Sequence, residues 1–156
     1  MNAKILVLTA FLIGLLSLNS FAQLKRNNIL LGVSGTYETD NKVVITSINF
    51  EYEKFDFKSA ILGIGASANY CNFTGESDKN FFFTLHANLN FNNVANSKLI
   101  PFIGLTGGTN LLLKDNLYGA HIGCRYFIGN NILIFAKYGL TNRSHTSPEV
   151  GIDFRL

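Results

Sequence analysis

The sequence predicts an all-β protein: an eight-stranded antiparallel up-and-down transmembrane β-barrel behind a cleaved signal peptide. Three observations predict it. Long segments alternate apolar and polar residues with a period of two. Their apolar faces carry tyrosine near the strand ends. Their opposite faces are built of Gly, Ser and Asn, where a water-facing sheet would show Lys and Glu.

The amino terminus comes first. Lys4 precedes an apolar run from Ile5 to Leu18, and Ser20-Phe21-Ala22 supplies a small-x-small cleavage site. A retained membrane helix needs about 20 apolar residues, and Asn19-Ser20 stops this run short. Residues 1–22 are therefore expected to be a secretory signal and 23–156 a single barrel domain. No Cys follows the site to invite a lipid anchor.

Beyond the signal, eight alternating segments are predicted at 29–37, 43–53, 59–71, 80–92, 98–108, 117–127, 131–140 and 148–156. The stretches between them, such as "ETDNK", "KFDFK", "NNVANSK" and "GNN", have the Asn, Asp, Gly, Ser and Lys content of turns. Strands of globular proteins run to about 5–6 residues, whereas a tilted strand crossing a bilayer needs about 9–11. The segment lengths match the second value.

Each segment sorts into two faces. The first carries Ile29, Leu31, Val33 and Tyr37 on one side, the second Val44, Ile48, Phe50 and Tyr52, and the third Leu62, Ile64, Ala66 and Tyr70. The fourth, "NFFFTLHANLNFN", sets Phe81, Phe83, Leu85, Ala87, Leu89 and Phe91 against Thr84, His86, Asn88 and Asn90. Pro101, Ile103 and Leu105 continue the apolar face on the fifth, and Tyr118, Ala120, Ile122 and Tyr126 on the sixth. Ile132, Ile134, Ala136 and Tyr138 follow on the seventh, and Val150, Ile152, Phe154 and Leu156 on the last. No Asp, Glu, Lys or Arg falls in these apolar series.

The other face holds Gly32, Ser34, Gly63, Gly65, Ser67, Asn69, Gly104, Thr106, Gly108, Gly119 and Gly123. Small residues belong where space is tight, and the interior of an eight-stranded barrel is just wide enough for side chains to fill. Its charged residues, Glu51, Glu53, Arg125, Lys137, Asp153 and Arg155, carry both signs. Buried charges need partners, so they are expected to form one lumen cluster, with His86 and His121 adding polar contacts. All six tyrosines, Tyr37, Tyr52, Tyr70, Tyr118, Tyr126 and Tyr138, fall on the apolar face near strand ends. An aromatic girdle sits there, its rings in hydrocarbon and its hydroxyls among headgroups.

The chain has 13 Lys+Arg against 10 Asp+Glu, and only Lys4 leaves with the signal. That balance is too even for a nucleic-acid partner. Charged residues make up 15% of the sequence, against about 25% in an ordinary soluble domain. Cys71 and Cys124 fall on strands three and six facing opposite ways, so two separate thiols are expected. His86, His121 and His145 lack carboxylate or thiol partners at metal-ligand spacing, and no metal or cofactor is implied.

The chain resembles the small eight-stranded outer-membrane barrels of Gram-negative bacteria, the OmpA/OmpX-like outer membrane protein beta-barrel domain group. "LIPFIGLTGG" is similar to the Pro-aromatic-x-Gly strand common in that group, and "EVGIDFRL" to its closing strand, although the last residue is Leu156 where members usually end on an aromatic. The resemblance implies a monomer in the bacterial outer membrane, contacting its lipid and lipopolysaccharide, and the outer-membrane assembly machinery during insertion. It also implies that both chain ends face the periplasm. "ETDNK", "NFTGESDKN", "GTNLLLKDN" and "TNRSHTSPE" would then lie outside, and "KFDFK", "NNVANSK" and "GNN" inside. The expected role is structural, or surface binding through the external loops, with the lumen plugged by side chains.

Two alternatives stand beside it. In "SHTSPE", His145, Ser147 and Glu149 offer a base, a nucleophile and an acid, which resembles the lipid A deacylases, outer-membrane barrels with a serine-histidine-acid triad. Pro148 replaces their usual Asn, Glu149 follows too closely, and such residues also populate ordinary surface loops. The second alternative is a secreted soluble barrel that binds a ligand inside, which requires the apolar face to point inward.

Overall fold

The structure is a computed structural model, and it describes residues 23–38, 43–73, 79–92, 98–110, 115–142 and 146–156. The proposed signal, residues 1–22, lies outside the described residues. Eight strands follow in order: β1 Ile29–Glu38, β2 Val43–Phe57, β3 Ala60–Phe73, β4 Lys79–Phe91, β5 Leu99–Asn110, β6 Asp115–Phe127, β7 Ile132–Thr141 and β8 Thr146–Arg155. Each pairs antiparallel with its neighbour, and β1 pairs with β8, with Leu31 opposite Phe154 and Val33 opposite Ile152, so the sheet closes into a barrel. Closure removes the free sheet edges that an open sheet would expose.

The two faces predicted from alternation are the two faces of the barrel. Ile48 is 65% exposed and Leu85 69%, and the outward series also presents Val33, Phe50, Ile64, Phe83, Ile103, Leu105, Ile122 and Val150. The alternate residues, among them Ser34, Asn49, Glu51, Ser67, Asn88, Arg125 and Asp153, are buried. The sheet is thus largely inverted relative to a soluble protein: polar and charged groups line much of the inside, alongside a buried apolar cluster, and large apolar side chains cover the outside.

Several strands outrun their predicted ends. "KFDFK" is not a free turn, because β2 continues to Phe57 and only Lys58 and Ser59 turn into β3. A β-bulge between Glu53 and Phe55 makes this extension possible. The extra residue shifts the phase by one, so Phe55 and Phe57 stay on the outer face, opposite Leu62 and Ala60, while Lys54 projects into solvent. Turn-like residues therefore occur within a paired hairpin, which composition does not distinguish from a loop. Similarly, β5 runs on to Asn110 and β8 starts at Thr146, inside stretches predicted as loops.

The six tyrosines expected in the girdle differ in exposure. Tyr37, Tyr118 and Tyr138 are exposed on the outer face and Tyr52 and Tyr70 are half-buried there, but Tyr126, in the outward phase of β6, is only 7% exposed. No disulfide joins Cys71 and Cys124; Cys71 lies in the inward phase of β3 and Cys124 in the outward phase of β6.

Candidate functional site

The lumen is layered. At the terminal end of the barrel, where Gln23 meets Arg155, Leu24, Leu30, Ile61, Ile100, Phe127 and Leu133 form a fully buried apolar floor. Five come from strands. Leu24 comes from the segment before β1, which folds back beneath the barrel. Asn92 fastens that segment, its Oδ1 accepting from Leu24 N–H at 3.2 Å and its Nδ2 donating to Leu24 O at 2.7 Å. Asn27 and Asn28 then continue the β2 ladder: Asn27 N–H donates to Glu53 O at 2.8 Å, and Glu53 N–H donates to Asn28 O at 2.9 Å. Asn27 turns through a φ of 70°, a conformation that asparagine tolerates better than most residues. The Tyr52 hydroxyl donates to its Oδ1 at 2.8 Å.

Above the floor lies an ionic layer centred on Arg125. Its Nε donates to Asp153 Oδ2 at 3.1 Å, its Nη2 to Glu51 Oε2 at 2.5 Å, and its Nη1 to Asn90 Oδ1. The guanidinium lies 4.5 Å from the Phe102 ring centroid, so an aromatic face covers the side that carboxylates do not. Asn90, 0% exposed, donates to Glu51 at 3.1 Å and to Glu53 at 3.2 Å, which ties the equally buried Glu53 into the layer. Asn88 Nδ2 donates to Glu51 Oε2 at 2.8 Å, leaving its Oδ1 to face His121 Nε2 at 2.6 Å. That amide orientation requires the imidazole proton to sit on Nε2 of His121. His86 Nε2 lies 3.6 Å from Glu51 Oε2.

Glycine makes the layer possible. A Cβ at Gly63 would lie 2.8 Å from Glu51 Cδ, and one at Gly65 would lie 2.7 Å from His86 Cε1. Both contacts are closer than real Cβ atoms approach, so the two glycines of β3 leave the volume that the Glu51 carboxylate and the His86 ring occupy.

Toward the other end the lumen becomes smaller in side chain and polar. Asn49 Nδ2 donates to Ser34 Oγ at 2.9 Å, Ser34 Oγ to Glu149 Oε1 at 2.7 Å, and Ser47 Oγ to Asn69 Oδ1 at 2.6 Å. Lys137 Nζ pairs with Glu149 at 3.0 Å. Between the ionic layer and this one lies a gap bordered by Asn49, Glu51, His86, Arg125, Lys137 and Asp153, with space for about one or two waters.

Of the six charged residues expected in one cluster, the structure brings Glu51, Glu53, Arg125 and Asp153 together. Lys137 pairs separately with Glu149. Arg155 does not join them. It is opposite Leu30 on β1, at the level of the floor, and donates to Gln23 O at 2.9 Å and to Asn130 O, with its guanidinium 4.9 Å from the Phe127 ring. One strand step places it past the ionic layer and at the terminal rim. Sequence reasoning missed Asn90, Phe102 and Leu24. Asn90 and Phe102 sit in the lumen phase of their strands, and that phase was the available signal; Leu24 lies outside any alternation and gave none.

The triad candidate is only partly placed. His145 lies outside the described residues, and Ser147 is opposite Gly139 on β7. Glu149 is engaged by Lys137 and Ser34 inside the barrel.

No protein-family model and no curated protein matches the chain. Solved structures do. A de novo designed transmembrane β-barrel matches with TM-score 0.71 at 16% identity over 86% of this chain and 99% of the design. A second designed barrel, solved by solution NMR, matches with TM-score 0.58 at 17% identity over 83% of this chain and 94% of its own. The N-terminal β-barrel domain of Pseudomonas aeruginosa OprF matches with TM-score 0.57 at 13% identity, covering 84% of this chain and 98% of that domain. Identities this low speak for architecture, and the architecture is that of the small eight-stranded outer-membrane β-barrels.

Proposed function

We propose that the protein is an integral, monomeric β-barrel of the bacterial outer membrane, with a lumen closed by its own side chains and a structural or surface-binding role exercised through its external loops. One observation carries the reading: the large apolar side chains, Ile48, Leu85, Leu105, Ile122 and Val150 among them, are exposed on the outside while Glu51, Glu53, Arg125 and Asp153 are buried inside. Water would solvate that outer surface poorly, and hydrocarbon solvates it well. The family resemblance orients the barrel with the chain ends toward the periplasm. Lipid and lipopolysaccharide are its surroundings, and the assembly machinery is its partner during insertion.

Support is favoured over transport by the fully buried apolar floor and by the hydrogen bonds that tie Arg125, Glu51 and Asn90 together across the lumen above it. The deacylase reading gains nothing from Glu149, whose Oε1 accepts from Ser34 and pairs with Lys137. Membrane fractionation tests the proposal. The protein should partition with the outer membrane, require detergent for extraction, and migrate differently on gels before and after boiling. A chain that remains folded and dispersed in buffer without detergent would overturn it and revive the soluble-barrel reading. Unchanged lipid A acylation in a Ser147→Ala strain is the expected enzymatic control.

A further inference from the structure

In sequence, the segments that belong to the two ends of the barrel differ in charge. At the terminal end lie Lys25, Arg26, Lys54, Lys58, Lys98 and Arg155, against one acidic side chain outside the lumen, Asp56. The connections at the opposite end carry Glu38, Asp40, Glu76, Asp78 and Asp115 against Lys42, Lys79, Lys114 and Arg143 in sequence, which nearly cancel.

The fold concentrates the terminal charge on one side. The ladder from Asn27 and Asn28 to Glu53 holds exposed Lys25 and Arg26 beside β2. The bulge after Glu53 projects Lys54, whose ammonium lies 5.6 Å from the Tyr52 ring, and Lys58 follows at the exposed hairpin tip. Around them the outward Phe55 and Phe57 continue the apolar face to its edge. Cations placed just beyond an aromatic and apolar rim match the phosphate level of a bilayer, where Lys stems reach along the hydrocarbon boundary.

Resting on the membrane reading above, we infer that the rim formed by Lys25, Arg26, Lys54 and Lys58 is a binding surface for anionic phospholipid headgroups. It recruits phosphatidylglycerol-type lipids from the leaflet at the terminal end and sets the barrel's depth there. The structure contributes the clustering: the segment before β1 and the bulged hairpin, about 30 residues apart in sequence, are joined by main-chain hydrogen bonds.

The test inserts the folded barrel into vesicles of phosphatidylcholine, with and without phosphatidylglycerol, and identifies by mass spectrometry the lipid that remains after mild detergent release. Phosphatidylglycerol should be enriched over its bulk share. The enrichment should fall by at least about tenfold in K25Q/R26Q/K54Q/K58Q, because juxtamembrane cations attract anionic lipid surfaces, and should weaken in high salt. K42Q/K79Q/K114Q/R143Q, which removes the same number of cations from the opposite end, should keep it. Gel heat-modifiability in pure phosphatidylcholine confirms that both variants fold. Equal phosphatidylglycerol retention by wild type and the terminal-end variant would overturn the inference while leaving the membrane reading intact. In a third set of vesicles that carries lipopolysaccharide beside phosphatidylglycerol, preferential retention of lipopolysaccharide through the same four residues would overturn the assignment to phospholipid. Failure of the wild type to insert even into phosphatidylcholine would remove the membrane reading and this inference with it.

Discussion

The terminal half of the lumen and its opposite half solve the same packing problem differently. Near the termini, large apolar side chains and a shared guanidinium fill the space, and Leu24, Glu53, Asn90 and Arg125 are almost entirely removed from solvent. Toward the other end, Ser34, Ser47, Asn69 and Thr84 fill it with short polar groups, and the ion pair there, Lys137 with Glu149, keeps about a fifth of its side-chain surface exposed. The first half resembles a protein core with a buried charge at its centre, and the second a lined vestibule. Stability should therefore be concentrated at the terminal end, where losing one partner strands another out of reach of water.

Arg125→Ala gives the sharpest contrast. It leaves Glu51 and Asp153 buried without their cation and should destabilise the barrel by about 3–5 kcal/mol, read as a lower urea midpoint in detergent by far-UV circular dichroism. If the cost is no greater than that of a lesion in the vestibule, the two halves are energetically equivalent. Ile48→Arg compares outside with inside. A cation in the middle of the outer band should cost about 2–4 kcal/mol in a bilayer, measured by the same unfolding in lipid vesicles, and much less in buffer-exposed surroundings. Leu24→Ala tests the floor and should cost about 2–3 kcal/mol, near the lower end for a buried Leu→Ala change because the segment bearing it can settle into the space. Lys137→Gln is the smallest lesion. Its pair is partly solvated, so a loss of about 1 kcal/mol or less is expected, and a loss matching that of Arg125→Ala would erase the distinction between the halves.

The same contrast marks where the sequence was readable. Alternation depends only on which side a residue faces, so the outward series from Ile29 to Phe154 and the polar inward series appear in the chain itself. Height along the barrel axis does not. Arg155 belongs to the inward phase, yet stands at the rim because β8 meets β1 with Leu30 as its partner, a register set by closure rather than by local pattern. The strand ends were obscured by a different cause. Lys54, Asp56 and Lys58 have the composition of a turn, while the bulge keeps Phe55 and Phe57 in a ladder with β3. Gln23 to Asn28 carries no periodicity, so the placement of Leu24 followed only from its contacts with Asn92 and the floor. In the candidate site the charged residues announced themselves, but the amides of Asn88 and Asn90 that connect them looked like ordinary polar positions.

The seam between β1 and β8 has a kinetic consequence. Every other strand finds its partner a short hairpin away, whereas Gly32 must wait for Asp153 to be made before it can pair. Until then both margins of the growing sheet present unmatched amides and carbonyls, which hydrocarbon does not tolerate. Insertion and the final zipping of first strand to last must then be nearly one event, and shortening the polypeptide by a single terminal strand would leave two raw borders instead of a slightly smaller ring.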